Sequence, residues 1–150
     1  MAFGAFGKMF GRKARQAGNA VVKFENRDLA QAAIYGCYWV ASADGEIGTK
    51  EMDKTDRLLR NAPELQGFGA ELDQIINRAK ADFMEGGARI IRMNAQKELS
   101  DLAHDPVQAG IVLNFMLTVA EADGEIQVPA EMDVLQKAAT CLGLRLENFL

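Results

Sequence analysis

The chain has little of what most small functional sites are built from. It contains one histidine, two cysteines and three prolines in 150 residues. A single histidine excludes a zinc site of imidazoles and thiolates, and no Ser/His/Asp or Cys/His set has a defensible spacing around His104. No apolar run approaches the ~20 residues that cross a bilayer. The N-terminus lacks the continuous apolar block of a signal peptide, and no Gly-x-x-x-x-Gly-Lys-Ser/Thr phosphate loop is present. Cys37 and Cys141 both fall in apolar helical patterns. Free buried thiols in a cytosolic protein are the expectation, a disulfide between them the alternative.

What is present is enough for one packed domain. About half the residues (49%) are apolar, which excludes a disordered chain. The net charge of −4 conceals an asymmetry: residues 1–27 hold six cations and one anion, a net +5, leaving −9 on the rest. A basic arm on an acidic body is a cue for contact with an anionic surface, while the acidic body argues against nucleic-acid binding.

No segment keeps the alternation of a half-buried strand, and the chain reads as all-α. Residues 28–43 carry Leu29, Ala33, Cys37 and Val40 on one helical face, and residues 107–122 carry Val112, Met116 and Val119 in matching positions. Asp105-Pro106 starts the second of these, with Asp as cap and Pro in the first turn. Further helices follow Thr49 and Pro129, running to about residues 61 and 142, where Gly143 is placed to stop the latter. Between them lie helices over 70–85 and 88–103, separated by Gly86-Gly87. Leu146, Phe149 and Leu150 are expected to pin the C-terminal tail to the core. Tyr35, Tyr38 and Trp39 read as core or rim residues. The expected fold is a compact bundle of about seven helices, with a basic arm over 1–27 and a domain over 28–150.

The chain also repeats itself. Val40-Ala41-Ser42-Ala43-Asp44-Gly45-Glu46-Ile47 returns as Val119-Ala120-Glu121-Ala122-Asp123-Gly124-Glu125-Ile126, identical at seven of eight positions. Glu51-Met52-Asp53 and Glu131-Met132-Asp133 follow. The repeat covers 28–71 and 107–150, two helix–Asp-Gly turn–helix units flanking a central pair and related by an expected pseudo-two-fold. The first turn has the form of the second half of an EF-hand loop, and in the second the closing Glu131 comes one residue late; both lack the opening carboxylates, so neither alone supplies the six to eight oxygens that calcium takes. Facing turns would pool Asp44, Glu46, Glu51, Asp123, Glu125 and Glu131 into one or two sites for a hard cation, Ca²⁺, Mg²⁺ or Mn²⁺. The other reading is two duplicated helix caps, since Glu51 and Glu131 lie at helix starts. Against it, Asp44 and Asp123 follow helix C-termini, where the dipole opposes an anion.

Written as a helix, residues 1–16 place Phe3, Phe6, Met9 and Phe10 within about a third of the circumference, with Lys8, Arg12 and Arg15 opposite and Lys13 inside the apolar arc. Gly4, Gly7 and Gly11 weaken that helix by roughly 1 kcal/mol each relative to Ala. The arm is read as docking to an anionic membrane or a partner, the alternative being that its Phe side chains pack on the body or drive oligomerisation.

The paired Ala-Asp-Gly turns, the Leu102…Asp105-Pro106…Ala109…Leu113 stretch and the terminal Leu142-Gly143…Phe149 resemble the TerB tellurite-resistance family over nearly the whole chain. The resemblance implies a cytoplasmic, non-enzymatic, all-helical stress-response module. It would work with an integral membrane TerC-like protein and calcium-binding TerD-like proteins. Its proposed metal site would map to Asp44, Glu51, Asp123 and Glu131, with calcium the leading cation. Rival expectations are a metal-independent adaptor whose acidic face binds a basic partner, and a metal-dependent hydrolase, which lacks a visible base.

Overall fold

The structure, a computed structural model, describes residues 24, 26–43, 49–122 and 129–150, with only the backbone of 49–51. The described residues are helical throughout: α1 (Arg27–Ala41), α2 (Thr49–Asn61), a 3₁₀ turn (Pro63–Phe68), α3 (Ala70–Ser100), α4 (Pro106–Ala122), α5 (Pro129–Cys141) and a second 3₁₀ turn (Leu146–Phe149). The same order, two helices and a 3₁₀ turn, thus stands on either side of α3. The seventh expected helix, in the arm, lies outside the described residues.

Local signals explain the boundaries. Asn26 caps α1, its Oδ1 accepting from the Leu29 N–H at 2.7 Å, and Asp28 adds an anion in the first turn. Asp105 caps α4 through Oδ1, which accepts from the Val107 and Gln108 N–H groups at 3.1 and 3.2 Å. Gly143 ends α5 at φ +72°: the Leu144 N–H reaches the Ala139 carbonyl at 2.8 Å and the Gly143 N–H the Thr140 carbonyl at 3.0 Å. This is a Schellman cap, which needs a residue at ease in the left-handed region.

α1 is the axis of the bundle. The sequence pattern puts one face of it in the core, but Leu29, Ala30 and every residue from Ala32 to Val40 are buried. Small side chains are the cause. Ala30, Ala32, Ala33 and Gly36 let α2, α3, α4 and α5 all pack against it, and a Cβ on Gly36 would stand 2.6 Å from the Met116 Sδ of α4. An amphipathic stripe describes a helix on the surface of a core, and this one lies inside it.

α3 is two helices joined at a corner. Gly87 has φ 72° and ψ −166°, a conformation essentially confined to glycine. The first arm runs antiparallel to α2: Arg60 pairs with Asp73 and bonds Asn77 at 3.2 Å, while Lys80 meets Asp56 at 2.8 Å. The second arm runs antiparallel to α1, with Gln31 donating to Glu98 at 3.1 Å. Both arms therefore bring the Gly87 corner to the end of the bundle where α1 finishes and α2 begins. At the opposite end the C-terminal tail is pinned as expected: Leu146 is buried, and Phe149 and Leu150 pack half-buried against the core.

Candidate functional site

Of the acidic residues singled out in the sequence, Asp44, Glu46, Asp123 and Glu125 lie outside the described residues. So do the arm residues Phe3, Phe6, Lys8, Phe10, Arg12 and Arg15. Glu51 is in the first turn of α2 by its backbone. Glu131 is half-buried in the first turn of α5 and is not without an interaction partner. Among the described residues no three His, Cys, Asp or Glu side chains are grouped to hold a metal ion.

The structure does describe the stems from which the turns spring. Val40 and Ala41 at the end of α1, Val119 and Ala120 near the end of α4, Thr55 and Leu58 of α2, and Glu131 of α5 all line one small cavity of about 30 Å³. That volume holds a water or two and no more. Asp44 is three residues beyond Ala41, and Asp123 three beyond Ala120. The stems of both turns and Glu131 thus border the same small space.

Cys37 also lines this cavity. Burial pushes its thiol pKa strongly up, and the charge of Glu64 adds to the shift. Burial thus favours the neutral thiol over the thiolate at this position. Cys141 is free and half-buried rather than buried, and Cys37 is free as well. His104 is exposed at the end of the bundle holding Asp105, and Trp39, Tyr35 and Tyr38 are core residues.

Two groupings have no signature in the sequence. One is the charge cluster of Asp56, Arg60, Asp73 and Lys80 between α2 and α3. The other is an apolar cleft between α2 and α4, larger than the cavity at the turns and lined by Leu58, Ala62, Phe115 and Val119 among others. Both depend on which helices are neighbours, and only the spacing of Asp56 and Arg60 along one helix is visible beforehand.

A bundle of helix pairs carrying duplicated acidic turns on converging stems belongs with the helical domains of tellurite resistance. The family described as tellurite resistance protein TerB matches residues 30–150, and the chain belongs to that family. No curated protein and no solved structure matches it significantly. Among the described residues no helix is long and apolar enough to cross a membrane.

Proposed function

We propose that this tellurite-resistance module is non-enzymatic and binds a divalent cation, calcium first among the candidates, with Asp44, Glu46, Glu51, Asp123, Glu125 and Glu131 as the donor set. The observation that carries this reading is the shared cavity: the stems of both turns and Glu131 border one small space. Carboxylates gathered there repel one another, and a hard cation with six to eight oxygen ligands relieves that repulsion by bridging the turns. Bridging clamps the α1–α2 pair to the α4–α5 pair, so that metal binding fixes one arrangement of the helices. The basic arm, through Phe3, Phe6, Lys8, Phe10, Arg12 and Arg15, then brings the module to an anionic membrane surface. There it meets a membrane-associated complex of TerC-like and TerD-like proteins.

Thermal melting tests the metal reading. Added Ca²⁺ raises the Tm of the metal-stripped protein, and Asp44→Asn combined with Asp123→Asn abolishes that rise. A rise of the same size in the double variant would sink the assignment of these turns. Co-sedimentation with anionic liposomes at low salt tests the arm; full-length protein that stays in the supernatant would count against membrane docking.

A further inference from the structure

The cleft between α2 and α4 has a volume of about 440 Å³, within the range of ~300–1,000 Å³ typical of small-molecule sites. Its wall is built from Leu58, Ala62, Pro63, Phe115, Val119 and Ala122, an apolar surface on which a hydrocarbon body can lie. The floor is fixed. Phe115 is held edge-to-face by Phe24 with ring centroids 5.2 Å apart, and the Phe24 N–H is bonded to the Glu64 carbonyl at 3.0 Å. Two cations, Lys54 and Arg57, border the cleft from α2, and one acidic residue, the half-buried Glu64, lines it as well. The two cations are three residues apart and so project from the same helix face. The described lining therefore carries a net charge of +1, whereas the chain beyond residue 27 carries −9.

We propose that this cleft binds a monomeric anionic amphiphile. Its acyl chain lies against Phe115, Leu58 and Val119, and its carboxylate or phosphate head pairs with Lys54 and Arg57. An apolar wall with a few polar groups at one side is the usual build of a small-ligand site. A planar guanidinium favours bidentate contact with such head groups. Leu58 and Val119 line the cleft on one side and the cavity at the turns on the other, so an occupant touches the stem of the second turn. The proposal does not rest on the metal reading, and its test uses metal-stripped protein.

The test is a backbone amide NMR titration of the full chain with decanoate, decyl phosphate and the neutral-headed decyl maltoside, each below its micelle concentration. Saturable shifts are expected at Ala62, Thr118, Val119 and Ala122 with both anions, and the neutral amphiphile should bind at least tenfold more weakly. The relative affinity of decanoate and decyl phosphate distinguishes a fatty-acid head from a phospholipid-like one. Lys54→Gln with Arg57→Gln should bring the anions down to the level of the neutral compound. Equal binding of charged and neutral amphiphiles overturns the proposal, as does the absence of saturable shifts at the cleft. Should the double variant misfold, the head-group comparison on the unaltered protein still decides.

Discussion

The Tyr35 hydroxyl of α1 donates to Asp82 Oδ2 at 2.6 Å, and that oxygen also accepts from Asn94 Nδ2 at 3.3 Å. Asp82 is on the first arm of α3 and Asn94 on the second, so one carboxylate latches both sides of the Gly87 corner to the central helix. A hydrogen bond to a charged group contributes ~1.5–3 kcal/mol. Tyr35→Phe should therefore cost ~1–3 kcal/mol in urea denaturation at pH 7. Three residues on, Tyr38 supplies the contrast, since its buried hydroxyl has no hydrogen-bond partner among the described residues. Tyr38→Phe should be neutral or stabilising.

The same helix makes stability sensitive to alkali. Burial raises the pKa of Tyr35, Tyr38 and Cys37, reinforced respectively by the hydrogen bond to Asp82, the charge of Asp56 and the charge of Glu64. The unfolded chain loses these protons from about pH 8.5 for the thiol and about pH 10 for the phenols, while the folded protein keeps them. Where the folded state binds more protons, stability falls as pH rises, by up to ~1.4 kcal/mol per pH unit for each group. Urea midpoints between pH 7 and 11 should decline, and Cys37→Ala with Tyr38→Phe should flatten the decline. An unchanged slope in that variant would contradict the assignment.

Gly87→Ala places a Cβ on a backbone at φ 72°, ψ −166°. Strain of this kind costs ~1–3 kcal/mol. Gly67→Ala meets nothing within 4 Å and has no such backbone, so it should be near neutral. Equal melting temperatures for the two variants would show that the corner is not confined to glycine.

Asp56 faces two cations, Lys80 at 2.8 Å and Arg60 one turn along α2. Burial alone would raise its pKa, but the hydrogen bonds from Lys80 and Arg60 outweigh that and hold it below the ordinary value. A depressed carboxylate stabilises the fold above its unfolded pKa, about 3.9, and the contribution fades as pH falls through the lower folded value. Asp56→Asn should cost ~1–3 kcal/mol at pH 7 and progressively less in strong acid. A cost independent of pH would mean that Asp56 acts through packing rather than charge.

Much of this fold is written in short-range chemistry. Asp105-Pro106, Pro129, Gly86-Gly87 and Gly143 mark helix ends because capping and left-handed turns depend on a residue and its near neighbours. The full burial of α1 was not legible, because it follows from four helices closing on its alanines and Gly36. Nor were the Tyr35–Asp82 latch and the Lys80–Asp56 pair, whose partners are 47 and 24 residues apart in sequence. At the candidate site the duplication was plain in the sequence. The packing of the two stems on one cavity, with Glu131 on its wall, came from the structure.

The central claim is that the paired acidic turns bind a divalent cation. The most direct measurement is a titration of metal-stripped protein with Ca²⁺, Mg²⁺ and Mn²⁺, followed through backbone amides, with paramagnetic broadening as the Mn²⁺ readout. Saturable effects centred on Gly45 and Gly124 together, strongest for Ca²⁺, are the predicted result. If both glycines are unmoved at millimolar metal, the turns are helix caps and the account of this module as a metal-clamped bundle is wrong.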